Sequence, residues 1–391
     1  MTYESPRILI AGLSGGSGKT LVSTGLVAAL ALRGISVQPF KKGPDYIDAS
    51  WLGRAAGRPC YNLDTFMIGE DRVARSFASR VSPNVAAVIE GNRGLFDGMD
   101  SEGSHSTARL ASILRAPVLL TVDCTKSTRT VAAMVLGCMS FAENFEIAGV
   151  VLNRVAGIRH QDVASSSIEK YCGIPVVGAL PKLKFKPFPE RHMGLVPPQE
   201  HSLVPDAVRN TAEVIEKCLD LERVLDILRS ARPLHLDGNA SEALSCGGTY
   251  PKIGLVRDSA FQFYYPENIE EIERFGGRIV ETSPLSEKSL PDVDALYIGG
   301  GFPETHAETL AANQGYLDSV KQAVESGMPV YAECGGAMFL GEKIVVENRE
   351  YPMTGVFPAT FGMEARPQRH GYTLLEVQRP NPFFEVGSEF R

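Results

Sequence analysis

Apolar residues gather in short uninterrupted runs along the first half of the chain: Arg7 to Gly12, Val85 to Ile89, Ala116 to Val122, Ala148 to Leu152 and Pro175 to Leu180. Runs of that length, rich in Val, Ile and Leu and without polar alternation, predict strands buried on both faces. Between them, Lys19 to Arg33, Ser127 to Ala142 and Gln161 to Tyr171 carry apolar positions at helical spacing. The alternation predicts a doubly wound parallel sheet covered by helices on both sides. A polar helix is expected from about Asp206 to Arg229, and Ala231 to Tyr250 is rich in Gly, Ser, Asn and Pro, the composition of a linker. A second alternation starts at Lys252: strand IGLVR, a helix from Pro266 to Phe275, strands RIVET and ALYIG, a helix from Glu304 to Ser326, and strand PVYAE. The expected organisation is therefore α/β twice over, with domains at 1–230 and 251–391 joined by a linker at 231–250.

Length and composition agree with two cores. The chain has 391 residues, 44% hydrophobic and 22% charged, which sets aside disordered and coiled-coil classes. A net charge of -7 gives no global field for polyanions, so a nucleic-acid partner is not expected. Seven cysteines are scattered without a CxxC pair, which argues against a disulfide framework or a zinc cluster and for a reducing compartment. No apolar run reaches the roughly 18 residues of a membrane span, and the amino terminus lacks a signal pattern. A cytoplasmic protein with no membrane partner is the expectation.

The first strand runs into Gly12-Leu13-Ser14-Gly15-Gly16-Ser17-Gly18-Lys19-Thr20 and then a helix. Backbone N–H groups and a helix N-terminus converge there, a ready anion nest. Ser14, Gly15, Gly16, Ser17 and Gly18 form the cradle, Lys19 can reach the outer phosphates of a nucleotide, and the Thr20 hydroxyl can join a Mg2+ shell. In a strict GxxxxGKT frame Leu13 stands where the first glycine belongs. The arrangement resembles the GGxGKT loops of the synthetase and partition-ATPase branch of P-loop proteins, with Ser14 where partition ATPases carry a signature lysine.

Phosphoryl transfer needs further metal ligands at the C-terminal ends of neighbouring strands. Lys41-Lys42-Gly43-Pro44-Asp45-Tyr46-Ile47-Asp48 follows one strand, and Glu90-Gly91-Asn92-Arg93-Gly94-Leu95-Phe96-Asp97-Gly98 another. Glu90 is the first candidate for Mg2+, with Asp45, Asp48 and Asp97 as partners. In the second half, Glu333-Cys334-Gly335-Gly336 places a cysteine between a strand and a helix, in the manner of a nucleophile elbow. A helix N-terminus there would favour the thiolate, and the glycine run Gly299-Gly300-Gly301 could complete an oxyanion hole.

With these residues in hand, the chain resembles the glutamine-dependent cobyrinate a,c-diamide synthases, in which a P-loop synthetase domain is fused to a class I glutamine-amidotransferase-like domain. The resemblance rests on FKKGPDYID (Phe40 to Asp48), GLFDG (Gly94 to Gly98), LNRV (Leu152 to Val155), PERHMGLVP (Pro189 to Pro197), RDSAFQFYYPEN (Arg257 to Asn268), GGGFPE and AECGGAMFL. It implies ATP-dependent phosphorylation of the a and c acetate carboxylates of a tetrapyrrole, followed by attack of ammonia released from glutamine. Carried onto these positions, it implies that Lys19 and Thr20 serve ATP and Mg2+, that Glu90 with Asp45, Asp48 and Asp97 organises metal and substrate, that Asn153 recognises adenine, and that Cys334 forms a glutamyl thioester. Because the chain is acidic overall, local basic groups must bind the carboxylate-rich substrate; Lys41, Lys42, Arg93 and Arg154, with Tyr46 beside them, are the candidates. The expected partners are a tetrapyrrole carboxylate and glutamine, with a homodimer as the candidate assembly.

Relatives of this type continue past GSEFR with a segment resembling GHEFHYS, whose histidine serves the catalytic cysteine, so a C-terminally truncated second domain is expected; His370 is not promoted in its place. Two rival readings remain at this level. One keeps the chemistry and changes the ring to sirohaem or (nickel-)sirohydrochlorin, on the strength of Asn92 and Arg93. The other is a partition-type ATPase switch, against which Ser14 and the Cys334 elbow both count.

Overall fold

The computed structural model describes all residues except 184–187, 189, 192–193, 201–203, 237–249, 365–370, 382 and 391. Cys246, His370, most of the expected linker and parts of the PERHMGLVP segment lie outside the described residues. The chain divides into two compact units, Met1–Ala240 with Tyr372–Arg391, and Ser241–Gly371.

In the first unit the chain order is β1 (Arg7–Gly12), α1 (Lys19–Leu32), β2 (Val37–Lys42), α2 (Ile47–Ala56), β3 (Tyr61–Leu63), α3 (Glu70–Ala78), β4 (Ala86–Glu90), α4 (Thr107–Leu114), β5 (Val118–Asp123), α5 (Thr130–Phe141), β6 (Ile147–Val155), α6 (Ile158–Cys172), β7 (Val176–Pro181), α7 (Val204–Cys218) and α8 (Leu221–Arg229). The seven strands form one sheet in the order β3-β2-β4-β1-β5-β6-β7, parallel at every pairing. Strand alternation sorts the core into two layers. Leu9, Ala11, Phe40 and Ile89 pack with residues of α3 to α6, whereas Ile8, Ile10, Val37 and Val88 pack with α1, α2, α7 and α8. Among the described residues no helix is long and apolar enough to cross a membrane.

The single expected helix from Asp206 to Arg229 is two. Leu219 bridges Gly178 of β7, the Asp220 N–H donates to the Val177 carbonyl at 2.8 Å, and the Asp220 side chain then caps α8 by accepting from the Arg223 N–H at 3.1 Å. Backbone contact with the sheet edge interrupts the helix, and a capping residue restarts it.

The second unit carries β8 (Lys252–Val256), α9 (Pro266–Arg274), β9 (Arg278–Thr282), β10 (Ala295–Ile298), α10 (Ala307–Ala312), α11 (Gln314–Glu325), β11 (Val330–Ala332) and α12 (Gly335–Leu340). These four strands form a parallel sheet in the order β9-β8-β10-β11, and Lys343–Val346, Arg349–Pro352 and Thr360–Gly362 form a separate three-stranded sheet. The expected helix over 304–326 breaks at Asn313, whose amide donates to the Pro284 and Glu287 carbonyls at 2.6 and 2.7 Å. A core of Val256, Phe261, Ile298, Leu317 and Phe339 lies within this unit.

Candidate active site

In the first unit the loop between β1 and α1 sits where the strand order reverses around β1, the crevice in which open α/β sheets bind ligands. Ser17 closes the loop on itself: its Oγ donates to the Ser14 carbonyl at 2.9 Å and accepts from the Ser14 N–H at 3.1 Å. Gly18 has φ 99°, and a Cβ there would lie 2.2 Å from Asn153 Nδ2, so no other residue fits. Asn153 is buried; its amide donates to the Ser17 carbonyl at 2.9 Å and its Oδ1 accepts from the Arg154 N–H at 2.9 Å. The residue proposed for adenine recognition thus ties the tip of β6 to the phosphate loop. Lys19 folds across the loop, donating to the carbonyls of Ser14 (3.2 Å) and Arg93 (2.5 Å). Burial and then Lys41 push its pKa below the usual lysine value, against Glu90, Asp48 and Asp97.

Glu90 is the hub. It is fully buried at the end of β4 and accepts from Thr20 Oγ1 at 2.9 Å, Ser23 Oγ at 2.5 Å and Lys41 Nζ at 2.8 Å. Alternation explains the convergence: Glu90 shares a sheet face with Val88, Lys41 shares one with Val37, and both faces look toward α1, which brings Thr20 and Ser23. Lys41 and Glu90 are also direct register partners of adjacent strands. The Lys41 amine additionally donates to Asp48 Oδ2 at 2.8 Å and the Gly91 carbonyl at 3.2 Å. Burial opposes its charge, but Asp48, Glu90 and Asp45 outweigh it and hold the ammonium above the usual lysine value. For Glu90, burial pushes the pKa up and Lys41 pulls against it. With three donors aimed at its two oxygens, the ionised form is the one this geometry serves.

The remaining sequence candidates fall into distinct environments. Asp45 accepts from the Asp48 N–H at 2.8 Å at the start of α2, and burial followed by Asp48 raises its pKa. Asp97 accepts from the Gly94 N–H at 2.8 Å, shaping the turn, and remains close enough to Lys19 to act on its charge. Tyr46 is half-buried at the entry to α2. Arg93 is exposed in a left-handed conformation, φ 48°. Lys42, expected to meet substrate, is instead buried; burial lowers its pKa, Asp64 raises it, and Lys41 and Arg93 add repulsion. Arg154 is ion-paired with Asp123 on the neighbouring strand. Lys41 differs most from expectation. Its side chain is 2% exposed and engaged by carboxylates, because β2 continues through Lys42 instead of ending at Phe40, and it does not face outward toward a substrate.

Several residues of the site escaped sequence reasoning. Ser23 lies one helical turn beyond Thr20, a spacing that could have revealed it. Asn62 donates to the carbonyls of Gly43 and Asp45 at 2.8 and 2.9 Å, fixing the loop after β2. Asp64 accepts from the N–H groups of Phe66 and Met67 and from the Tyr372 hydroxyl at 2.7 Å, while the Tyr372 ring stacks on Phe66 at 4.3 Å. Asn92, which favoured a different ring, accepts from the Arg93 N–H at 2.9 Å and so serves the loop's own geometry.

The donor set around Glu90 suits a hard cation. Thr20, Glu90 and Asp48 offer oxygen atoms, and an ammonium of the chain itself already lies between the two carboxylates. Among the described residues no group of three or more His, Cys, Asp or Glu side chains could hold a metal alone. Mg2+ in nucleotide sites takes one or two carboxylates and completes its shell with phosphate oxygens and water.

In the second unit Cys334 stands between β11 and α12 with φ 48° and ψ -110°, a strained turn for a non-glycine residue. Gly335 and Gly336 permit it: a Cβ on Gly335 would come 3.1 Å from the Gly301 nitrogen, and one on Gly336 2.4 Å from the Ile298 carbonyl. An added Cβ on Gly300 would lie 3.4 Å from that of Cys334, in van der Waals contact. Gly300 and Gly301 therefore lie against the cysteine turn, on the side an oxyanion hole would need, while Gly299 packs against Phe263 and Tyr264. Cys334 is exposed at the residue level, and the helix that follows it, α12, has only six residues; local desolvation of the thiol, with Glu304 and Glu333, pushes its pKa up, opposed by the Gly335 and Gly301 N–H groups. Cys124, Cys138, Cys172 and Cys218 are also pushed up by burial.

Residues 8–196 match the CobQ/CobB/MinD/ParA nucleotide binding domain, and residues 252–390 the CobB/CobQ-like glutamine amidotransferase domain. A cobyrinate a,c-diamide synthase of Magnetococcus marinus is 44% identical over 100% of this chain and 84% of its own length. Proteins of the same name from Dehalococcoides mccartyi and Archaeoglobus fulgidus are each 40% identical, over 99% and 97% of this chain and 84% and 82% of theirs. Fold, sites and domains together define a carbon–nitrogen ligase that couples a nucleotide-binding unit to a glutamine amidotransferase. Within that class, the chain belongs to the cobyrinate a,c-diamide synthase family.

Proposed function

We propose that this protein converts the a and c acetate carboxylates of cobyrinate into amides, using ATP, Mg2+ and glutamine, through acyl phosphate intermediates. The observation that carries the reading is the chain Thr20–Glu90–Lys41–Asp48 beside Lys19. It joins a phosphate loop to the buried Glu90 at a strand end and to Asp48 in the first turn of α2, the equipment for phosphoryl transfer to an acceptor in the crevice. A carboxylate oxygen of the substrate attacks the γ-phosphorus and ADP leaves. Ammonia nitrogen then attacks the acyl carbon, inorganic phosphate leaves, and the nitrogen gives up a proton. Thr20, Glu90 and Asp48 would hold Mg2+, which supplies charge neutralisation on the phosphates. Lys19, released from the Ser14 and Arg93 carbonyls, reaches the transferring phosphoryl group, and the Cys334 unit supplies ammonia.

The test is oxygen transfer. With cobyrinate labelled by 18O in its carboxylates, one labelled oxygen is expected in inorganic phosphate for each amide formed. Amide formation with unlabelled phosphate would remove the acyl phosphate.

Substrate binding has its own expected result. Arg93, exposed beside the loop, is the basic group best placed to meet a substrate carboxylate. Arg93→Ala should raise the KM for the tetrapyrrole several-fold while changing that for ATP little, and the difference should shrink as salt rises. Equal changes in both KM values would remove Arg93 from the substrate surface.

A further inference from the structure

We propose that Lys41 is an internal counter-ion that keeps the Glu90–Asp48 carboxylate pair closed to free divalent cations until nucleotide arrives, and so makes metal binding conditional on ATP. The inference rests on the reading of this loop as an ATP–Mg2+ site and extends it to a positioning residue. The Lys41 amine lies 2.8 Å from Glu90 Oε1, 2.8 Å from Asp48 Oδ2 and 3.2 Å from the Gly91 carbonyl. An ammonium has three N–H donors, and all three are used. Its two anionic partners are the carboxylates a hard cation would need, one fully buried and the other 20% exposed.

A free divalent ion entering this place must displace a fully hydrogen-bonded ammonium from a buried pocket and leave its charge without a partner. It must also approach Lys19, a second cation near enough to Lys41 for each to feel the other's charge. Nucleotide changes the balance: its phosphates attract Lys19 away from the carbonyls it now holds, add negative charge, and bring oxygen ligands that the protein lacks. Lys41 acts through Glu90 and Asp48, not on the reacting atoms.

The experiment is Mn2+ binding, followed by the electron paramagnetic resonance signal of free Mn2+, to wild type, Lys41→Met and Lys41→Arg, with and without a non-hydrolysable ATP analogue. Wild type is expected to bind Mn2+ tightly only with the analogue. Lys41→Met should bind Mn2+ without nucleotide at least about tenfold tighter than wild type, the effect of removing one buried counter-charge. Mn2+ should also raise its melting temperature, while Lys41→Arg keeps the wild-type dependence on nucleotide. Should Lys41→Met prove unfolded without metal, millimolar Mn2+ is expected to restore its circular dichroism. A folded Lys41→Met that binds Mn2+ no better than wild type without nucleotide, or an unfolded one that Mn2+ does not rescue, overturns the proposal. Wild type failing to bind Mn2+ even with the analogue would instead overturn the ATP–Mg2+ reading beneath it.

Discussion

Lys19→Ala is expected to lower ATP-dependent amidation by about a hundred- to a thousandfold, the scale on which loss of one preorganised charge donor acts, whether nitrogen comes from glutamine or from ammonium salts. Lys19 begins α1, and its amine already reaches back over the loop to the carbonyls of Ser14 and Arg93. Those bonds hold a positive charge beside the cradle, on two backbone carbonyls that phosphate oxygens can replace. Substitution removes that charge and leaves the fold's other supports intact, since Ser17 and Asn153 still brace the loop. Steady-state rates with both nitrogen sources check this, and unchanged ammonium-dependent turnover would take Lys19 out of the phosphoryl-transfer step.

Cys334→Ser should behave in the opposite way. Glutamine-dependent amidation is expected to fall by at least about a thousandfold, as for loss of a covalent nucleophile, while activity with ammonium salts persists. Cys334 lies in the second unit on its own strained turn, against Gly300 and Gly301. Serine preserves the turn and the approach of the glycines but is a much weaker nucleophile. Loss of both activities in a folded variant would reassign the cysteine to structure or to the synthetase step.

How much of this was legible in the sequence depended on how local the signal was. The five apolar runs of the first half all became central or flanking strands, because a strand buried on both faces must be apolar throughout. Helices α2, α3 and α4 drew no expectation: they are short, and polar residues occupy much of their surface, so their apolar faces emerge only against the sheet. The phosphate loop was readable since glycine spacing, Lys19, Thr20 and the strand-to-helix context are contiguous. Lys41 was misplaced for the complementary reason. Two lysines after an apolar run look like the solvated end of a strand, and only the adjacency of β2 and β4, with Lys41 and Glu90 49 positions apart in the sequence, turns the first of them inward. Asn153 belongs to the same class: its position at a strand tip was legible, but its bond to Ser17 across 136 residues was not.

The most direct test of the account is mass spectrometry of the products formed from cobyrinate, sirohydrochlorin, nickel-sirohydrochlorin and sirohaem, each supplied separately with ATP, Mg2+ and ammonium. The account predicts that cobyrinate gains two amides, one ATP being hydrolysed for each, and that the other rings are amidated far more slowly. Amidation confined to a sirohydrochlorin-type ring, or ATP hydrolysis without an amide on any of the four, would contradict it.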